Sequence, residues 1–241
     1  MRLYAIGDLH LSFSDPENKT MDIFGGPWVN HFEKLKENWL KVVDPEDYVL
    51  LPGDFSWALK LEDAMPDFKW LSELPGKKIM IKGNHDLWWS SLKKMQVLGD
   101  SIIILQNSSF VTDRFAVAGS RGWICPEDPD FSESDDRKIY ERELGRLRRS
   151  LESCAKEVAE KKAADPAYKL VVALHYPPSA FTNARSQFVD LIKEFGADSV
   201  VYGHLHGENG FKNGPEGVIN GISYRLCSLD KLKCVPSLIV G

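Results

Sequence analysis

The residues able to do chemistry in this chain gather behind short apolar runs. Arg2–Gly7 leads into Asp8-Leu9-His10, Tyr48–Gly53 into Asp54, and Lys77–Gly83 into Asn84-His85-Asp86. Further on, Lys169–Leu174 leads into His175, and Ser199–Gly203 into His204-Leu205-His206. Five of the six histidines fall at these places. A single histidine there is more often a hydrogen-bonded core or surface residue than a ligand. Five such places together point to a metal centre. Two Asp, one Asn and about four His form a mixed oxygen and imidazole set without thiolate. That set suits Mn, Fe, Zn, Co or Ni better than Ca, which prefers all-oxygen cages. Seven donors exceed one tetrahedral ion and suit two ions sharing a carboxylate, an arrangement with ions about 3.5–4 Å apart in phosphatases and nucleases. Gly7, Gly53, Gly83 and Gly203 precede four of the groups. Each alone could be a turn glycine; repeated, they mark sharp turns and close approaches.

These donors need a scaffold that presents them along one rim. The apolar runs Arg2–Ile6, Tyr48–Leu51, Lys78–Ile81, Ile102–Leu105, Phe115–Ala118, Lys169–Leu174 and Ser199–Tyr202 predict strands, most of them buried on both faces. Helix candidates lie between them at Val29–Val43, Asp86–Val97 and Ala184–Phe195. The alternation predicts an α/β fold with helices packed on both sides of sheets, whose strand carboxyl ends form the ligand edge. Hairpins are expected at Phe110–Ala118, turning at Thr112-Asp113-Arg114, and at Val218–Leu226, turning at Asn220-Gly221. The sheets are therefore mixed. The longest helical pattern runs from Ser134 to Ala164, with Ile139, Leu144, Leu147, Leu151, Ala155 and Val158 on one stripe. Its Arg137, Arg142, Arg146, Arg148 and Arg149 among glutamates read as a solvated, salt-bridged face. No repeat or linker interrupts the chain, so a single domain over 1–241 is expected.

Composition narrows the classes. The chain has 241 residues, 30 Lys+Arg against 35 Asp+Glu, and a net charge of −5. At this length a core forms without staples; 43% hydrophobic and 27% charged residues exclude a disordered chain. The charge argues against a protein that coats nucleic acid or an acidic membrane. Cys125, Cys154, Cys227 and Cys234 show no close-set pair, which fits reduced thiols in the cytosol. No apolar run nears 18 residues. Met1–Ile6 runs directly into a Gly-Asp turn, leaving no room for a signal peptide. A cytoplasmic location is expected.

Asp8-x-His10, Gly53-Asp54, Gly83-Asn84-His85-Asp86, His175 and Gly203-His204-x-His206 resemble the five blocks of the calcineurin-like metallophosphoesterases, in the family's order. The resemblance implies a four-layer αββα sandwich, two mixed β-sheets flanked by helices, with a dinuclear site at the strand ends. It implies that Asp8, His10 and His206 hold one metal, that Asn84, His175 and His204 hold the other, and that Asp54 bridges them. His85 is then a general acid or transition-state stabiliser free of metal, and Asp86 either orients His85 or caps a helix starting there. Two cations, Mn, Fe or Zn foremost, would lower the pKa of a shared water to about 7, so that hydroxide attacks a phosphoester in line. The Asp-Arg-Gly that follows Gly-Asp in the serine/threonine phosphatases is replaced here by Phe55-Ser56-Trp57-Ala58. The pattern is closer to the bacterial phosphodiesterase-like branch.

The substrate side is less determined. Trp57 and Trp88-Trp89 form either a stacking wall for a nucleobase or aryl group or core. Arg121, in Gly119-Ser120-Arg121-Gly122-Trp123, is a phosphate clamp or half of a structural ion pair. The loop Ser12–Pro27 lies beside His10 and is placed to cover the site, whereas His31 sits in a helix pattern outside the chemistry. The reading is a dinuclear phosphohydrolase acting on phosphodiesters or small organic phosphates. Its expected partner is a small phosphorylated substrate, a nucleotide-like one included, and neither a nucleic-acid polymer nor a membrane. A scaffold that kept the fold and lost catalysis is the alternative. A nuclease would need a basic footprint that the motifs lack.

Overall fold

Short β-branched runs become strands here because both of their faces are covered. The computed structural model describes residues 1–241. The chain forms two units: Met1–Ile104 with Cys227–Gly241, and Leu105–Leu226. The first holds strands β1 (Leu3–Ala5), β2 (Tyr48–Leu51), β3 (Lys77–Met80) and β4 (Ile102–Ile104). The second holds β5 (Ser109–Val111), β6 (Phe115–Ser120), β7 (Lys169–Leu174), β8 (Ser199–Tyr202), β9 (Gly217–Ile219) and β10 (Ile222–Leu226). The chain then returns to the first unit as β11 (Ser237–Val240).

Both sheets are mixed and flanked by helices. In the first, the order is β11-β1-β2-β3-β4, all parallel except β11. In the second, the order is β5-β6-β7-β8-β10-β9, with β5 and β9 antiparallel to their neighbours. The two expected hairpins are present as β5–β6 and β9–β10. Parallel pairing puts the residues after β1, β2 and β3 on one sheet edge, and those after β7 and β8 on one edge of the other sheet.

The helices of the first unit are α1 (His31–Val42), α2 (Leu61–Ser72) and α3 (Leu92–Met95). The second unit has α4 (Arg137–Glu152), α5 (Ala155–Ala164), α6 (Gln187–Glu194) and the single turn α7 (Gly207–Gly210). Leu35 and Trp39 of α1 and Phe68 and Leu71 of α2 enter the first core, with Val49, Leu51 and Phe55. Tyr140, Leu147 and Leu151 of α4 and Phe188 and Ile192 of α6 enter the second, with Val172 and Val200. No helix is long and apolar enough to cross a membrane.

Three elements differ from expectation. The helix expected over Asp86–Val97 is only α3, followed by a 3-10 turn at Gln96–Leu98. Ser91 caps it, its Oγ accepting from the Lys94 N–H, while the Asp86 carboxylate is used elsewhere. The helix expected over Ser134–Ala164 is two helices with a break at Ser153-Cys154. There the Ser153 Oγ donates to Ser150 O at 2.7 Å and lies 2.7 Å from the Ser109 Oγ, side-chain bonding that competes with the backbone ladder. The stripe is also shifted: Tyr140, Glu143, Leu147 and Ser150 are buried, whereas Ile139 and Leu144 are half-buried. Finally, α2 forms despite Pro66 in its interior.

Candidate functional site

In the first unit, the loops after β1 and β2 run side by side. Asp8 N–H donates to Gly53 O, His10 N–H to Asp54 O and Leu11 N–H to Phe55 O, each at 3.0 Å. Trp57 N–H returns to Leu11 O at 2.9 Å. The pairing brings a ring nitrogen of His10 and a carboxylate oxygen of Asp54 each within 4.8 Å of an Asp8 carboxylate oxygen. His10 Nε2 stands 3.9 Å from Asp54 Oδ2. All three side chains are buried: Asp8 at 0%, Asp54 at 1% and His10 at 3% exposure. Asp8, His10 and Asp54 also adopt left-handed backbone, at φ 56°, 46° and 51°. Such residues each cost about 1–3 kcal/mol and cluster where function holds them.

Asp86 secures this arrangement. Its Oδ2 accepts the N–H groups of Asp54 (2.9 Å) and Gly83 (2.7 Å). Its Oδ1 accepts those of Phe55 (2.9 Å), Ser56 (3.3 Å) and the Trp88 indole (2.9 Å). The carboxylate thus pins the β2 loop to the β3 loop, and the His85 ring is not among its partners. Burial, and then the Asp54 carboxylate, push the Asp86 carboxyl up to about 6, against the pull of its N–H donors. A Cβ at Gly83 would overlap the Asp54 carboxylate, so only glycine allows this approach.

His85 is exposed, unlike its neighbours. Its backbone N–H donates to Asp54 Oδ1 at 2.8 Å. Its ring lies 5.7 Å from that of His10 and 4.5 Å from that of Trp57. Trp57 in turn stacks on His10 at 4.7 Å. Half-buried Trp57 therefore lines the two imidazoles, and the Ser12–Pro27 loop packs behind it through Lys19 Nζ on Trp57 O (2.9 Å) and Met21 Sδ on the indole N–H (3.4 Å). Trp88 takes the core reading: it is 1% exposed and packs edge-on to Phe55 and Phe68.

Two further buried groups hold the same loops, and the sequence pattern did not single them out. Asp67 of α2 accepts from Phe13 N–H at 2.8 Å and from the Ser56 hydroxyl. His31 places one ring nitrogen 2.9 Å from Leu9 O and the other 3.2 Å from Trp28 O. Burial raises the Asp67 pKa and lowers that of His31. Neither has a sequence signal, since their partners lie far away along the chain.

In the second unit, His175 follows β7 and is fully buried. Its N–H donates to Arg121 O at 3.0 Å, and its own carbonyl accepts from Gly203 N–H at 3.1 Å. That bond ties the β8 exit to the β7 exit and brings the His204 and His175 rings to 5.0 Å. His204 has φ 72°, and its ring lies 4.1 Å from that of Tyr176. His204 and His206 are half-buried, His206 at the start of α7. The Arg121 guanidinium lies 4.4 Å over the Trp123 ring, with Nη2 3.5 Å from the buried Glu143. Glu143 Oε1 also receives Arg146 at 2.7 Å and Arg142 at 3.5 Å. This is an ion-pair arrangement.

The donors of each unit fit cations. In the first unit, two buried carboxylates and an imidazole converge, a mixed oxygen and nitrogen donor set that suits a divalent cation. In the second, imidazoles adjoin one another.

Comparison with known proteins bears on what such donors serve. The family model for calcineurin-like phosphoesterases matches residues 1–208. No match was found among curated proteins. Among solved structures, the chain is similar to a protein of unknown function from Aquifex aeolicus, at 18% identity and TM-score 0.50, covering 98% of this chain and 95% of that one. It is also similar to phosphopantetheinyl hydrolase from Mycobacterium tuberculosis, at 16% identity and TM-score 0.48, covering 94% and 88%. With the match spanning every one of the donor positions, the chain belongs to the calcineurin-like phosphoesterase family.

Proposed function

We propose that the protein is a dinuclear metal-dependent phosphohydrolase acting on phosphodiesters or small organic phosphates. The observation that carries this reading is the convergence of buried Asp8, His10 and Asp54, all three in left-handed backbone, within a family of phosphoesterases. By the family pattern, Asp8, His10 and His206 would hold one ion, Asn84, His175 and His204 the other, and Asp54 would serve both. When bound, the ions supply Lewis acidity toward phosphate oxygens and water.

The chain's own residues do the rest. His85 is exposed, anchored by its N–H to Asp54 and flanked by Trp57. It hands a proton to the departing alkoxide, a step worth typically about 10²–10⁴-fold. Trp57 fixes the ring that makes this transfer. Asp86 keeps the β2 and β3 loops at the spacing that the Asp54 and Asn84 donors need.

The test is hydrolysis of bis-p-nitrophenyl phosphate beside p-nitrophenyl phosphate, after stripping the protein and reloading it with Mn²⁺. Asp54→Ala should lose dinuclear metal uptake and turnover together. His85→Asn should keep two ions per chain and lose turnover. Equal metal loss in both variants would overturn this division of roles. A wild-type protein that takes up no metal and hydrolyses neither ester would leave a binding scaffold as the better reading.

A further inference from the structure

The second unit contains a cavity of about 230 Å³ whose lining includes His204, Tyr176, Cys125, Asp128, Asp130 and Asn213. We infer that this cavity receives the organic group of the substrate, and that it selects a small alcohol portion bearing a cationic amine or other hydrogen-bond donors. The inference rests on the proposed function, because His204 connects the cavity to the reaction only as a metal ligand.

The size limits the guest. At about 30 Å³ per water, the cavity holds roughly eight water-sized volumes, so it takes a group of about eight non-hydrogen atoms. Part of the lining is aromatic, with Tyr176 held among other rings. The Tyr176 ring lies 4.1 Å from the His204 ring and 4.9 Å from the Trp123 ring, and Trp123 is backed by Arg121 at 4.4 Å. Aromatic faces of this kind accept an aliphatic or cationic group.

Charge sets the preference. The nearby guanidinium of Arg121 is directed to Glu143. Asp128 and Asp130 bring two carboxylates to the lining with no ion-pair partner of their own. Their loop is built: Asp128 N–H donates to Cys125 O at 2.9 Å, and Asp128 Oδ1 accepts Asp130 N–H at 2.9 Å. Cys125 adds no charge, because burial pushes its thiol up to about 12. Away from His204, the lining therefore offers acceptors and two carboxylates, which favour an ammonium or amide N–H over an apolar group at that end of the guest.

Non-hydrolysable phosphonates separate binding from turnover. Kd values for 2-aminoethylphosphonate, 2-hydroxyethylphosphonate and propylphosphonate would be measured by calorimetry on the Mn²⁺-loaded protein at low salt. The aminoethyl compound should bind about tenfold tighter than the propyl compound, with the hydroxyethyl compound between them. Asp128→Asn with Asp130→Asn should collapse the three values to within about twofold. Asp130→Asn alone, at an exposed position, should give part of that collapse and serves if the double variant folds poorly. Equal Kd values in wild-type protein that holds two ions and hydrolyses bis-p-nitrophenyl phosphate would overturn this inference and leave the proposed function standing. An order that survives the double substitution would overturn it as well. Failure to take up metal would remove the proposed function first, and this inference with it.

Discussion

The two units hold their candidate donors by different means. In the first, Asp8, His10 and Asp54 are buried in left-handed backbone, and three other buried polar side chains, Asp86, Asp67 and His31, bind the loops that carry them. In the second, the His175 backbone is bonded to Arg121 and Gly203, His204 and His206 are half-buried, and the His204 ring lies 4.1 Å from that of Tyr176. The difference follows from where ladder bonds run out. Past the ends of β2 and β3, the N–H groups of Asp54, Phe55, Ser56 and Gly83 turn inward, away from water. Each buried N–H needs an acceptor, and Asp86 supplies one to all four. In the second unit, His204 borders a cavity. One half is built for fixed geometry, and the other leaves room for a guest.

The strongest way to break this comparison is to remove the shared acceptor. Asp86→Ala strips partners from four backbone N–H groups and the Trp88 indole, at about 1–3 kcal/mol each. A loss of at least about 5 kcal/mol is expected, a large share of the 5–15 kcal/mol that holds a typical domain together. Asp86→Asn keeps one good acceptor oxygen and should lose roughly half as much. Urea midpoints, with metal content measured on the folded fraction, check this. If Asp86→Asn unfolds no more easily than wild type, the carboxylate is not what spaces the loops.

The matching test in the second unit is Glu143→Gln. Glu143 is fully buried, and its Oε1 is approached by Arg121, Arg142 and Arg146. Removing the charge leaves the mostly buried Arg121 uncompensated, which costs about 3 kcal/mol by the general behaviour of broken buried pairs. The His175 N–H is bonded to the Arg121 carbonyl, so the β7 exit should loosen with it. Hydrogen exchange should rise at His175 and Tyr176 and stay unchanged at His10 and Asp54. Rising exchange in both places would mean that the two donor sets are not supported independently.

Much of the scaffold was legible in the sequence because strand formation depends on local composition. The seven apolar runs became strands, the Asn220-Gly221 pair became a hairpin turn, and Asp8, Asp54, His175 and His204 lie at strand ends. Helix α2 was not legible. Pro66 interrupts its propensity, and Asp67 puts a carboxylate on its buried face, erasing the apolar stripe. The supporting residues were hidden for another reason. Asp86 reaches back to Asp54, Asp67 to Phe13 and His31 to Leu9, separations of 32, 54 and 22 residues that no periodicity encodes. Likewise Glu143 and Ser150 sit inside the α4 stripe, where charge patterning reads a solvated face. The unit-2 cavity has no sequence signature either, since its lining is gathered from four separate segments.

Not every buried polar group of the first unit serves the loops, and Lys78 sharpens the distinction. It lies on β3 at 1% exposure, with Nζ on Leu74 O and 5.9 Å over the Trp39 ring. Burial lowers its pKa from 10.5 to about 8. Between those values the unfolded chain binds the proton more tightly than the folded one, so stability rises as pH increases from 8 toward 10.5. Below about pH 8 both forms are protonated, and the penalty for burying the ammonium is constant. Lys78→Met keeps the stem and removes the charge. It should gain about 2 kcal/mol at pH 7, and the gain should shrink as pH approaches 10. Urea midpoints of both proteins at pH 7, 8, 9 and 10 give the answer. Parallel curves would mean that Lys78 keeps its proton in the folded state. A loss at pH 7 would mean that the bond to Leu74 outweighs burial, and that Lys78, like Asp86, supports the fold around it.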